Sequence, residues 1–431
     1  MADAVKLQAA DSEGQPIYVD MSCPADLDVA AAEPQSALRR ALVETVRRKT
    51  VMRVLHLGFE DPRMPGAGGG SVRTHEINRR LAATGFDITV LTTRYPGWQE
   101  RVEDGVHYVP IGWGQGGNRL TRLLAYIARL PFEVRRRGSA DLVVEDFFAP
   151  FSTMAAPLWT NRPTIGVVQW LHARDKARQY KLPLHWLERW GVRKHRRLIS
   201  VSQGISDRLM ELNPALHVDV IGNGVDPGIW ETEPHAGKDV LFVGRLEYGH
   251  KGLDLLLGAW AECCNRVDGN LLIAGTGQDE DRLRATIQGA GLSGRVKMLG
   301  WLSGEQKHKA IADARLLVVP SRHETFGLVA IDAMAAGTPV IAFDIPCLRE
   351  IVPEGTGWLV EAFDVQALAV EIALRYAQEG LGDVAEHGRK FAALYNWDVL
   401  AGMQAEAYNT ALAELENPKT GRQRAALPER A

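Results

Sequence analysis

Ser321-Arg322-His323-Glu324-Thr325-Phe326-Gly327-Leu328-Val329-Ala330-Ile331-Asp332-Ala333-Met334-Ala335-Ala336-Gly337 is the stretch from which the fold of this chain is read. It follows directly on an apolar run, residues 314–320, with the length and composition of a buried strand. Glu324 then falls in a loop, a helix opens at Phe326-Gly327, a second acid, Asp332, sits inside that helix, and Gly337 stops it. Another apolar run, residues 339–343, is the next strand. Strand, loop, helix and strand in this order belong to a parallel α/β sheet. The junction of loop and helix turns helix N-terminal amides, two carboxylates and a glycine toward one crevice, which suits a ligand carrying both phosphate and hydroxyl groups.

The same alternation runs outward in both directions. Upstream, residues 51–59 form the first strong strand, and a Pro- and Gly-rich loop, 62–70, leads to a helix over 71–84 and a strand over 87–93. Further strands are expected over 142–144, 164–169 and 197–202. A second series covers 240–244, 270–275, 296–300, 316–320 and 340–343. Between the two series lies Asn223-Gly224-Val225-Asp226-Pro227-Gly228, a turn-rich hinge. The expected fold is therefore α/β: two doubly wound, Rossmann-like parallel-sheet domains facing across a cleft. Residues 1–49 read as an N-terminal extension, with a helix expected over 35–48, and residues 50–225 as the first domain. Residues 226–398 are the second domain, 399–416 a C-terminal helix, and 417–431 a disordered tail rich in Pro, Arg and Ala.

Bulk properties narrow the function. At 431 residues the chain exceeds one compact core. A net charge of -3 gives no footprint for nucleic acid. Cys23, Cys263, Cys264 and Cys347 show no C-x-x-C spacing, the amino terminus lacks the basic-then-apolar pattern of a signal peptide, and no apolar run has the length of a membrane span. A cytoplasmic protein is expected.

Three segments besides the opening stretch have chemistry-bearing residues. Gly66-Ala67-Gly68-Gly69-Gly70 precedes Ser71 at a helix start, where bare backbone amides meet an anion; a flexible connector is the bland alternative. A dinucleotide fingerprint fits poorly, because Ser71 stands where the third glycine belongs. Gly244-Arg245-Leu246-Glu247-Tyr248-Gly249-His250-Lys251-Gly252 follows a strand, and Arg245 and Lys251 are spaced to bracket a diphosphate whose charge grows on departure. His172 lies just past the run 164–168. Gly275-Thr276-Gly277 precedes Asp279-Glu280-Asp281, and these acids read as the dipole-favoured first turn of a helix rather than as metal ligands. Residues 296–300 are a weaker candidate for framing a base. Two basic segments, 119–137 and 193–197, suit an anionic bilayer, but the favoured reading of 120–132 is a sheet-covering helix with a solvated basic face.

The pair Glu324 and Asp332, with seven residues between them, resembles the acid–seven residues–acid motif of retaining glycosyltransferases, above all glycosyltransferase family 4, whose fold is called GT-B. Asp332 departs from the pattern, which usually has Glu there. The resemblance covers roughly residues 51–412. It implies Arg245 and Lys251 as the donor-phosphate pair, Glu324 on the sugar hydroxyls, Asp332 on the ribose, and Gly327 with the Leu328 and Val329 amides on phosphate. It also implies His172 on the donor sugar, Gly69 and Gly70 facing the transferred sugar and the acceptor, and a last helix that crosses back to the first domain. The expected reaction moves a sugar from a nucleoside diphosphate, UDP favoured, to an acceptor hydroxyl with retention, without a metal or any cofactor. Two other classes stay open: a nicotinamide-dependent oxidoreductase, and a catalytically silent partner subunit of the same fold.

Overall fold

The structure, a computed structural model, describes residues 6–10, 16–20, 51–65, 67–114, 118–147, 155–171, 184–233 and 237–416. The chain divides into two compact units. One comprises Leu38–Gly222 and Trp397–Ala431, the other Met1–Ala37 and Asn223–Asn396. Near the amino terminus, β1 (Lys6–Ala10) and β2 (Pro16–Asp20) pair as an antiparallel hairpin. The helix expected over 35–48 and the tail over 417–431 lie outside the described residues.

The first unit is built on eight strands: β3 (Arg53–Leu57), β4 (Asp87–Thr93), β5 (Arg101–Glu103), β6 (Val106–Ile111), β7 (Leu142–Asp146), β8 (Thr164–Val168), β9 (Arg197–Ser200) and β10 (His217–Val220). Their order is β10-β9-β8-β7-β3-β4-β6-β5, and only β5 runs antiparallel to its neighbour. Alternation along β3 sends Val54 to one face and Leu55 and Leu57 to the other. On the Val54 face, Ile77 and Leu81 of the helix Gly69–Ala83 pack with Leu400, Ala401, Ala405 and Tyr408 of the helix Trp397–Glu416. On the Leu55 face, Leu123, Tyr126, Leu130 and Val134 of the helix Arg119–Arg136 pack against Leu91 and Val143. Each of the Leu, Ile and Val side chains, taken fully out of water, contributes about 1.5–3 kcal/mol before entropy is charged against it.

The second unit has six parallel strands: β11 (Asp239–Val243), β12 (Leu271–Ala274), β13 (Val296–Gly300), β14 (Ala314–Val319), β15 (Val340–Phe343) and β16 (Gly357–Val360). The order is β13-β12-β11-β14-β15-β16. The chain winds outward from β11 to β13, then restarts at β14 on the other side of β11. Loops leaving the carboxyl ends of β11 and β14 therefore diverge and leave a crevice, the usual ligand position in an open parallel sheet. This is where the two best sequence candidates fall.

Several boundaries differ from the sequence reading. Strands β1, β2, β5, β6, β10 and β16 were not anticipated. The first helix begins at Gly69, two residues early, because Gly68 is already extended and serves as its N-cap. The last helix begins at Trp397 rather than at residue 399. Among the described residues, no helix is long and apolar enough to cross a membrane.

Candidate functional site

Past the end of β11, Gly244 and Arg245 lead into a single helical turn, Tyr248–Lys251. Gly252 ends it in the left-handed region with φ 64°, and a Cβ there would stand 2.0 Å from the Pro320 carbonyl oxygen, so no other residue fits. That close approach brings the turn against the loop after β14. The His250 carbonyl accepts from the amides of Arg322 (2.8 Å) and His323 (3.3 Å). The Arg322 guanidinium donates to the Tyr248 carbonyl at 2.8 Å and forks onto Asp254 at 2.7 and 2.8 Å. From the far side, Asp279 accepts from the Tyr248 amide at 2.8 Å. Asp279 thus anchors this turn, and Glu280 and Asp281 fill the first turn of the helix Glu280–Gly289.

This lacing places Lys251 against Glu324. The Lys251 ammonium forms an ion pair with Glu324 Oε1, and the Ser321 hydroxyl donates to the same oxygen at 2.9 Å. The two charged side chains are only 16% and 13% exposed, so their attraction is less screened than that of a surface pair. Arg245 stands apart: its side chain is 70% exposed and pairs with Glu247 at 3.1 Å. The sequence reading set both cations around one diphosphate, but in the structure only Lys251 is held in the acid cluster, because Glu247 two residues on engages Arg245.

Next along the chain, Gly327 adopts φ 88° as the N-cap of the helix Leu328–Ala336, and Gly337 closes it with φ 79°. The Leu328 and Val329 amides occupy the first helical turn, where no intrahelical acceptor exists and the dipole is positive. Asp332 lies deeper and is buried. One of its oxygens accepts from the Asp226 amide at 3.2 Å and the other from the Lys307 ammonium at 3.1 Å. Lys307 also reaches Asp226 at 3.2 Å, and His308 Nε2 lies 2.9 Å from the same carboxylate. Burial pushes the Asp332 carboxyl above its ordinary range, against the pull of Lys307. Burial alone would lower Lys307, but the facing Asp332 and Asp226 carboxylates outweigh it and raise its pKa. Asp226 goes down despite its burial, through its bond to His308 and the charge of Lys307. The ribose role read for Asp332 thus meets a carboxylate whose two oxygens both serve protein donors.

Ser321, Asp226 and Lys307 were not singled out as site residues. Asp226 carried a readable signal, since Asp before Pro227 is a common helix-start pair and its carboxylate does accept from the Gly228 amide at 3.3 Å. Lys307, one of several charges on the helix Gly304–Ala312, carried none. Residues 296–300 form β13, the edge strand two places from β11.

In the other unit, Gly69 and Gly70 are the first residues of a helix rather than the end of a loop. The Gly68 amide donates to Glu60 at 3.0 Å, and the Gly70 carbonyl accepts from the Gln169 amide group at 3.3 Å. One turn on, the Thr74 hydroxyl donates to Asp146 at 3.2 Å. Asp146 also meets His56 at 3.2 Å, and His56 meets Asn78 at 3.0 Å. This buried polar chain fixes the helix start over the ends of β3 and β7. His172 and Gly66 lie outside the described residues.

Comparison with known proteins agrees with this geometry. The "Glycosyltransferase Family 4" model matches residues 67–228, and the "Glycosyl transferases group 1" model matches residues 231–389. Glycogen synthase of Mycobacterium tuberculosis is 28% identical over 401 residues, spanning 83% of this chain and 94% of the relative. Phosphatidyl-myo-inositol mannosyltransferase of Mycobacterium leprae is 36% identical over 183 residues, 41% of this chain and 48% of the relative. Among solved structures, sucrose-phosphate synthase from Thermosynechococcus elongatus superposes with a TM-score of 0.71 at 22% identity, covering 84% of this chain and 99% of that one. HepE from Anabaena, in complex with UDP and glucose, gives 0.65 at 20% identity, covering 83% of this chain and 100% of that one. With both sheets of the fold in place and the two family models leaving only residues 229 and 230 unmatched between them, the chain belongs to the family 4, group 1 glycosyltransferases of GT-B fold.

Proposed function

We propose that this glycosyltransferase takes its sugar from a nucleoside diphosphate, UDP first among them, and delivers it to an acceptor hydroxyl with retention and without a metal ion. The observation that carries the reading is the Lys251–Glu324–Ser321 cluster at the carboxyl ends of β11 and β14, next to the amino end of the helix Leu328–Ala336. An arriving diphosphate competes with Glu324 for Lys251. The ammonium then neutralises the leaving phosphate, and Glu324, released, accepts from sugar hydroxyls. The amides of Leu328 and Val329 add donors for the phosphate, and Arg245 swings from Glu247 to supply a second charge. The bond from the anomeric carbon to the diphosphate breaks, the bond to the acceptor oxygen forms on the same face, and the acceptor proton passes to a leaving phosphate oxygen. Gly69, Gly70 and His172 are assigned to the acceptor and the transferred sugar. UDP is favoured because the Anabaena relative of this fold binds UDP and UDP-glucose.

A hydrolysis and transfer screen across UDP-, GDP-, dTDP- and ADP-sugars, with and without EDTA, tests the reading. UDP-sugars should turn over and EDTA should leave the rate intact. Lys251→Ala and Glu324→Ala should each lower turnover by roughly 10²–10³, the cost of removing one preorganised charge partner, with unchanged circular dichroism. Wild-type rates in both variants would remove the site assignment, and inverted product stereochemistry in NMR would remove the retention.

A further inference from the structure

The two helices Arg119–Arg136 and Leu184–Lys194 cover one face of the eight-stranded sheet. Val143 of β7 packs with the first helix, and Glu145, two residues on and therefore on the same face, lies 3.5 Å from His195 at the end of the second. The inward sides of these helices are ordinary core. Their outward sides are basic, as read from the sequence for 120–132, but large apolar residues stand among the charges.

On the first helix Leu120, Leu124 and Phe132 are 63%, 57% and 55% exposed. They recur at multiples of four and so form one stripe. On the second, Trp186, Leu187 and Trp190 are 69%, 40% and 38% exposed. Exposed tryptophans one turn apart are uncommon on a surface that meets only water.

The charges set among them have one sign. Each helix contains a single acid, Glu133 and Glu188 respectively, and both are buried. Glu133 is moreover neutralised by Arg129, Arg136 and Arg137. The exposed charges are Arg135 and Arg136 on the first helix, and Arg189, Arg193 and Lys194 on the second, with Arg196 just beyond. Two of the exposed aromatics carry a cation directly: Arg129 lies 5.1 Å from the Phe132 ring centroid, and Lys194 lies 6.0 Å from that of Trp190. This local excess of positive charge occurs in a chain whose net charge is -3.

We infer that this face docks on an anionic lipid bilayer. Trp186, Trp190, Leu124 and Phe132 enter the boundary between headgroups and acyl chains, where an indole is best accommodated, and the arginines engage lipid phosphates. A protein partner with an apolar groove would satisfy the side chains, but it would leave the single-sign charge unexplained unless it were strongly acidic. The bilayer answers both features with one surface.

Flotation of the full-length protein with phosphatidylcholine vesicles, and with vesicles containing phosphatidylglycerol as well, tests the inference. Binding should be confined to the phosphatidylglycerol vesicles, should blue-shift tryptophan emission, and should be lost as salt is raised. Trp186→Ser with Trp190→Ser, and separately Arg189→Gln with Arg193→Gln, should each weaken it by roughly tenfold or more, because these residues supply the apolar and the charged part of the contact. Donor hydrolysis should be unchanged in both double variants, which keeps a loss of binding distinct from a loss of fold. Absent binding, binding equal on neutral vesicles, or double variants that float like the parent would overturn the inference. A dimer in light scattering that the tryptophan substitutions dissolve, with no vesicle binding, would overturn it in favour of a second copy of this chain.

Discussion

Lys307 shows what a single side chain decides here. Its ammonium sits between Asp332 and Asp226, and without it Asp332 would be a buried carboxylate held by one backbone amide. Removing one member of such a pair costs about 3–5 kcal/mol, and the low end is expected because Lys307 is itself 22% exposed and Asp226 keeps His308. Lys307→Met should therefore lower the urea-unfolding free energy by about 3 kcal/mol near neutral pH. The pH dependence has a definite sign. The folded-state pKa of Lys307 is raised above the ordinary 10.5, so its contribution is complete below that value and fades as pH climbs through the folded value. Wild-type and variant stabilities should converge in strongly alkaline buffer. A difference that stays constant there would show that Lys307 stabilises by packing alone. At this scale the sequence was most legible where spacing implied a motif, as for Lys251 and Glu324, and least where a residue's role depends on a partner far along the chain. Lys307 meets Asp226 across 81 positions, and nothing local announces that.

Among elements, the turn from Tyr248 to Gly252 controls the acid cluster. Gly252→Ala would force a Cβ into the Pro320 carbonyl while holding a left-handed backbone, and the turn must shift away from the β14 loop. A loss of a few kcal/mol is expected, visible as a lower melting temperature, together with weaker UDP binding in calorimetry as Lys251 is carried away from the crevice beside the β14 loop. A variant that melts like the parent would show that the close approach is not needed. Strands were legible in proportion to their burial. The continuous apolar runs behind β11, β14 and β15 are covered on both faces and read plainly. β6 did not, because Pro110 interrupts Val-His-Tyr-Val-Pro-Ile and argues against a central strand. The structure tolerates it because β5 pairs only with residues 106–108, so Pro110 has a neighbour, Thr92, on one side alone. Strands β5, β10 and β16 are only partly buried and so lack the continuous apolar run by which β15, no longer than β10 or β16, is read. Exposure was the other thing the pattern concealed. The stretch 120–132 reads as a sheet-covering helix with a basic outer face, yet its apolar residues divide into an inward set led by Tyr126 and an outward set led by Leu120.

For the whole molecule, the informative fact is the unit to which the last helix belongs. Arg73, fully buried on the first helix, donates to Gln404 and to the Ile221 carbonyl, and Gln404 donates to Tyr408 at 2.6 Å. Burial lowers the Arg73 guanidinium to about 10, so it stays charged near neutral pH and its buried N–H groups need those acceptors. A chain ending at residue 396 would leave Ile77 and Leu81 facing water and Arg73 short of its amide acceptor. Such a truncation should yield aggregated protein, whereas the segment 223–396, expressed alone, should melt cooperatively. A monomeric truncation with unaltered near-UV circular dichroism would contradict this.

Because the helix that completes the earlier unit follows the whole of the intervening lobe in the chain, a ribosome must translate that lobe before the earlier unit can close. The six-stranded sheet of the intervening lobe comes from one continuous stretch and can mature while synthesis is still under way. Nascent chains stalled just short of Trp397 should therefore carry one protease-resistant half and one that chaperones still hold.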